Sequence, residues 1–206
     1  VAVGLFVRTV SRNPSWLSTY AMVNTLAMEH PESYMALQHR AAGLARVGEV
    51  EDAGSAYDAA VELAPRHYGL LVEAGSFYAR QRQEARAEAL LRRAVAETPG
   101  QPTAYRILAE QLIRLGRGRE GHGVALEGLA RAGPDRELWA LVSESYIAKG
   151  DFEASLRARR AALGQDPGSS HDWGRLADVL DVMGRSEEAL SARARAADLE
   201  AAEAER

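Results

Sequence analysis

The chain repeats itself every 34 residues. Pro31, Pro65, Pro99, Gly133 (with Pro134 beside it) and Pro167 stand at that interval. An aromatic residue or leucine keeps the same step at Leu37, Leu71, Tyr105, Trp139 and Trp173, and again at Leu44, Tyr78, Leu112, Tyr146 and Leu180. A fixed period of this length predicts stacked helix-turn-helix units, each burying its apolar face against its neighbours. Such arrays bind and organise other molecules through extended surfaces.

Two helices approach closely only where side chains are short, so the small residues test the period. Ala41, Gly75, Ala109, Ser143 and Ala177 form one column; Ala53, Ala87, Gly121, Ser155 and Ala189 form a second; Ala60, Ala94, Gly128, Ala162 and Ala196 form a third. All 15 positions hold Ala, Gly or Ser. Glycine closes the first helix of most units, at Gly48, Gly116, Gly150 and Gly184, where a left-handed residue ends a helix at least cost; Arg82 takes its place once. Asp151 and Ser186 read as N-caps of the following helices. Helices are expected over 34–47, 51–64, 68–81, 85–97, 102–115, 119–131, 136–149, 153–165, 170–183 and 187–200. Gly121 and Gly128 fall inside one of them, and each is expected to cost about 1 kcal/mol relative to Ala.

The pattern Trp173, Leu176, Ala177, Leu180, Gly184, Ala189, Ala196, with Pro167 ahead of it, resembles the tetratricopeptide repeat family. The resemblance covers residues 34–201 as five repeats (34–67, 68–101, 102–135, 136–169 and 170–201). It implies an all-α, right-handed superhelical solenoid, with one degenerate N-terminal repeat before them and a tail over 202–206. Residues 1–33 have two readings. Phe6, Val7 and Val10 fall in phase with Arg40, Ala41 and Leu44, which makes a degenerate first repeat. Alternatively, Val1–Val7 is the end of a membrane helix, since the apolar run is far short of the roughly 20 residues that span a bilayer. The absence of an initial methionine points to a fragment or processed product. Arg8-Thr9-Val10-Ser11-Arg12-Asn13-Pro14-Ser15-Trp16-Leu17-Ser18 resembles the junction between the last membrane helix and the repeats of polytopic membrane glycosyltransferases. That resemblance implies a non-catalytic accessory region outside the cytoplasm; without it a cytoplasmic setting is expected.

A net charge of −4 gives no global basic field for nucleic acid. With no cysteine there is no disulfide, thiol nucleophile or zinc-thiolate site. Only Lys149 among 25 basic residues is lysine, which with the high alanine and glycine content points to a GC-rich bacterial source. Gly116-Arg117-Gly118-Arg119-Glu120-Gly121 spells G-x-G-x-x-G, but a helix and not a strand is expected before it, so a dinucleotide loop is not. Arg117, Arg119 and His122 could form a local anion site at a helix start. The five histidines show no metal-binding spacing, and no serine lies in a G-x-S-x-G elbow. No enzyme activity and no cofactor are expected.

Two sets of residues are candidates for partner binding. Arg12, Arg46, Arg80 and Arg114 recur one turn before the helix break. They form a ladder that could hold a carboxylate-rich or phosphorylated ligand, or serve only the helix dipole. The family geometry implies a concave face containing Met35, Gln38, Gly69, Val72, Ser76, Thr103 and Arg106. Farther along, that face carries an acidic strip of Glu110, Glu137, Glu144, Asp178 and Asp181, suited to a basic partner. The Asn and Lys residues of the family's chaperone-tail clamp are missing from it. The expected function is a non-catalytic scaffold that binds a protein or peptide in this groove. A second reading is head-to-tail self-assembly through apolar, uncapped ends at Val3, Leu5, Phe6, Val7, Leu190 and Leu199, which would make a filament.

Overall fold

The computed structural model describes residues 30–204. Among them are ten helices and no strand: α1 (Tyr34–Val47), α2 (Val50–Leu63), α3 (Tyr68–Arg80), α4 (Glu84–Glu97), α5 (Pro102–Arg114), α6 (Gly118–Arg131), α7 (Arg136–Ile147), α8 (Phe152–Gln165), α9 (Ser170–Val182) and α10 (Ser186–Ala204). Each expected helix is present, with ends shifted by one or two residues except the last. There α10 runs on to Ala204, so residues 202–204 continue the helix instead of forming a tail. Ser186 is the first residue of α10 and not its cap. The chain divides into two compact units, Val1–Ala94 and Val95–Arg206. No helix among the described residues is long and apolar enough to cross a membrane.

The 34-residue step sets the helix ends as well as the faces. Ser33, His67, Asp135 and Ser169, one step or two apart, each accept a backbone N–H from the residue three ahead. The missing member, Gln101, makes no such bond, but Pro102 after it lacks one of the N–H groups a cap would satisfy. At the other end, the carbonyls of Leu44, Tyr78, Leu112, Tyr146 and Leu180 each accept the N–H five residues on, at 2.9–3.0 Å. This is the Schellman closure, and it needs a left-handed residue. Gly48, Gly116, Gly150 and Gly184 supply it with φ of 73–90°.

Arg82 supplies it in the second repeat at φ 56°, the one non-glycine residue in this region among those described. A left-handed L-residue costs about 1–2 kcal/mol, partly offset because glycine loses more freedom on folding. Arg82 is exposed and forms no ion pair with a described residue. Arg82→Gly is therefore expected to stabilise the chain by up to about 1 kcal/mol, seen as a rise in the midpoint of urea unfolding.

Within residues 34–94 the core is Tyr57, Leu70, Leu71, Phe77, Tyr78 and Leu91, all at most 2% exposed. The rings of Tyr57, Phe77 and Tyr78 pack in series, tilted and then edge-on, with centroids 5.0 and 5.1 Å apart. Residues 95–206 hold two clusters. Tyr105, Ala109, Ala125, Leu138 and Val142 join α5, α6 and α7; Leu156, Leu163, Leu176, Val179 and Leu180 join α8 and α9, with Ala189 and Ala192 of α10.

Candidate interaction surfaces

In residues 34–94 the first helices of two successive repeats, α1 and α3, flank a cleft of about 330 Å³. Arg46 and Arg80 line it from the last turns of their helices, with Tyr57, Glu73, Phe77 and Gln81. Glu73 is occupied: the Gln38 amide donates to one oxygen and the Tyr57 hydroxyl to the other, at 2.8 Å. Burial and the bond to Glu73 push the Tyr57 hydroxyl well above its usual range, so it stays a neutral donor. Arg46 and Arg80 are exposed and form no ion pair with a described residue. The cleft thus presents two guanidinium groups to solvent over one internally satisfied carboxylate. Arg114 is exposed at the end of α5, and Arg12 lies outside the described residues.

The acidic residues of 95–206 stand differently. Glu110 accepts from Arg106 at 3.2 Å, and Glu137 from Arg136 at 2.6 Å. Glu144 accepts from both Arg159 (2.8 Å) and Arg175 (2.6 Å), and Asp178 from Arg175 at 3.5 Å. Asp181 is bonded by Arg193. Burial pushes the Glu137 carboxyl up, but its own backbone N–H and Arg136 outweigh that and hold it below the usual range. Every acid of the strip therefore carries an arginine, and the negative field expected there is offset from within.

One of these arginines is buried. Arg159 is 1% exposed, and so is Asp172, which it meets at 2.8 Å; Arg136 reaches the other Asp172 oxygen at 2.9 Å. The Asp172 carboxyl is raised by burial but lowered more by Arg136, Ser169 and Arg159, so it stays ionised. The repeat register explains the pairing. Arg159 stands in the column of Tyr57, Leu91 and Ala125, and Asp172 in that of Ala36, Leu70, Ala104 and Leu138, all buried. At the interface of α8 and α9 two apolar core positions have become a cation and an anion. Neither was singled out by sequence, because each alone reads as a surface charge.

The glycine-rich segment is the turn after α5 and the first turn of α6, and Arg117 is held by Glu120 at 2.7 Å. His122 Nδ1 is bonded to the Ser145 hydroxyl, and its ring meets Tyr146 edge-on at 4.9 Å. Burial and the nearby Lys149 keep its pKa below the ordinary value. Two of the three groups expected to make a local anion site are thus committed internally. Of the expected assembly ends, Leu190 is 65% exposed and Leu199 is partly buried, while Val3, Leu5, Phe6 and Val7 lie outside the described residues. So does the Arg8–Ser18 junction.

No family profile matches the chain, and no curated protein matches it in sequence. Solved structures do. The crystal structure of MamA superposes with a TM-score of 0.71 at 16% identity, over 81% of this chain and 97% of that one. YrrB, described as a TPR protein with an unusual peptide-binding site, gives 0.62 at 20% identity, over 86% and 91%. PilF of Pseudomonas aeruginosa gives 0.69 at 14% identity, over 82% and 78%. With the ten helices of its described residues, its closing glycines and these likenesses, the chain has the all-α solenoid fold of tetratricopeptide repeat proteins.

Proposed function

We propose that this chain is a non-catalytic interaction scaffold that takes an acidic peptide segment in the cleft between α1 and α3. The observation that carries the reading is the pair Arg46 and Arg80, exposed in one cleft whose only carboxylate, Glu73, is already bonded to Gln38 and Tyr57. Guanidinium groups spaced along a groove suit carboxylates through paired, charge-assisted hydrogen bonds. The fold admits such a role, since YrrB is described as binding peptide, but the argument rests on the site and not on the likeness. The arginine-paired acids of 95–206 make a basic partner the weaker choice. Self-assembly by a filament contact and an accessory role beside a glycosyltransferase both draw on residues 1–18, outside the described region.

The test is a fluorescence-anisotropy titration of the whole chain with a labelled glutamate-rich peptide and its glutamine analogue. The acidic peptide is expected to bind, to weaken steeply with salt because exposed charges are screened, and to lose at least about tenfold in affinity with Arg46→Glu and Arg80→Glu together. Equal binding of both peptides, or indifference to the double substitution, would refute the cleft. A basic peptide whose binding is lost on Glu110→Arg and Asp178→Arg would move the site to the acidic strip.

A further inference from the structure

Helices α8, α9 and α10 wall a cavity of about 470 Å³ lined by Leu163, Trp173, Leu176, Leu180 and Ala192. The same register in residues 34–94 holds a smaller one of about 320 Å³, walled by α2, α3 and α4. There Leu90, 8% exposed, stands where Ala192 stands, and Glu62 where Gly164 stands. Two side chains that narrow the first cavity are cut back to a methyl group and a hydrogen in the second. Further repeats follow the smaller cavity in the chain, so the opening belongs to the register and does not depend on α10 being the last helix.

Trp173 selects the guest. Leu71 and Tyr105 in its column are fully buried, whereas Trp173 is only partly so. Its one polar atom is occupied, the indole N–H donating to the Pro167 carbonyl at 2.9 Å. The cavity is thus offered ring surface alone, which favours an aromatic partner in offset or edge-on contact. The rim selects the charge. In the smaller cavity Asp58 and Glu62 are balanced by Arg86 and Arg93, with Asp58 and Arg86 paired at 3.3 Å. In the larger one that pair is reversed in sign, and Arg160 meets Glu188 at 3.2 Å. Glu188 is also gripped by two nitrogens of Arg185, at 2.7 and 2.9 Å. Two guanidinium groups therefore share one carboxylate, and Arg160, 54% exposed, has capacity for another.

We propose that this cavity takes an aromatic side chain of a partner peptide, with an adjacent Asp or Glu of that peptide bonded to Arg160. Gly164 and Ser191 in its lining are exposed, so the cavity is open to solvent between α8 and α10. That suits a side chain entering from a backbone that runs outside, where a free small molecule would be left too little covered. The chain's own Asp151-Phe152-Glu153 is not available for the role, because Asp151 caps α8 and Phe152 packs on the core beside the cavity. The site shares no residue with the α1–α3 cleft, and either can fail without the other.

The probe is the end-capped peptide Gly-Ser-Phe-Glu-Ser-Gly, titrated into the intact chain while the indole N–H resonances are followed by NMR. The Trp173 resonance, assigned with Trp173→Phe, is expected to shift saturably while that of Trp139 stays. Alanine in place of the peptide's phenylalanine should weaken binding at least about tenfold, as loss of a buried aromatic side chain predicts. Glutamine in place of its glutamate, or Arg160→Gln in the chain, should weaken it about two- to fivefold, the scale of a half-exposed ion pair. Ala192→Leu, which copies Leu90, should abolish it. Gly164→Leu should do the same, and because a Cβ there meets nothing within 4 Å, circular dichroism is expected to stay unchanged. No shift at millimolar peptide, a shift indifferent to the phenylalanine or to Gly164→Leu, or equal binding of the glutamate and glutamine peptides overturns the proposal. So does sedimentation showing that the chain self-associates and that Gly164→Leu prevents it, which would make a second copy the occupant.

Discussion

Replacing Asp172 by alanine is expected to destabilise residues 95–206 by about 3 kcal/mol. The loss comes from what is left behind. Arg159 remains 1% exposed, with Glu144 as its only acceptor, and a buried charge stripped of a partner costs about 3–5 kcal/mol. Glu144 keeps the figure at the lower end. The double substitution Arg159→Leu, Asp172→Leu should behave oppositely. It restores the pattern of Tyr57 and Leu70 and orphans nothing, because Glu144 retains Arg175 and Arg136 retains Glu137. Buried ion pairs replaced by packed apolar residues are neutral or gain about 1–4 kcal/mol. Urea unfolding followed by tryptophan fluorescence, with Trp173 one residue from Asp172, measures both. A double variant whose cost equals the sum of the costs of Arg159→Leu and Asp172→Leu taken singly would mean that the two charges are not coupled. The pair also fixes a pH dependence. Because the folded Asp172 carboxyl is held below its ordinary value of 3.8, its contribution is present above that pH and is lost as the pH falls through the lower, folded value. Asp172→Asn should remove that acid sensitivity.

The 34-residue step made the helices legible because it carries three independent signals at once. Small residues mark where helices touch, glycines mark where they stop, and large apolar residues mark the core. Where a signal is absent the reading slips: nothing in Ala201-Ala202-Glu203-Ala204 ends a helix, all four being good helix formers, and α10 runs through them. The charged surface was less legible. Glu144 and Asp181 are visible in the sequence, but their partners Arg175 and Arg193 lie 31 and 12 residues away. A pattern of local spacing does not connect them. Arg159 and Asp172 could have been found by writing the repeats beneath one another, since each follows a run of apolar residues in its column. Their mutual dependence appears only when the two columns are known to meet.

Gly121 and Gly123, two residues apart on α6, are expected to respond to alanine with opposite signs. Helix propensity alone says that each substitution should gain about 1 kcal/mol. The structure divides them. A Cβ on Gly123 meets nothing within 4 Å, so Gly123→Ala should realise that gain. A Cβ on Gly121 would stand 2.7 Å from Ile113 Cγ1 and 2.8 Å from the Ala109 carbonyl oxygen. Ile113 Cγ1 moves only with χ1, which is stiff for a β-branched residue in a helix, and the carbonyl belongs to the backbone of α5, so the two helices must separate. Overpacking of this kind costs about 1–3 kcal/mol or more, which offsets the propensity gain and leaves Gly121→Ala destabilising by roughly 1–2 kcal/mol. Gly128 behaves like Gly121, its Cβ falling 2.8 Å from both Leu138 Cδ1 and Tyr105 Cβ in a site where both residues are fully buried. The expected loosening of this unit by its helical glycines is therefore half of the account, since the same glycines let α6 approach α5 and α7 closely. Thermal unfolding of the three single variants decides it. Stabilisation by Gly121→Ala as large as that by Gly123→Ala would show that the helices part at no cost and that the glycines are a propensity penalty alone.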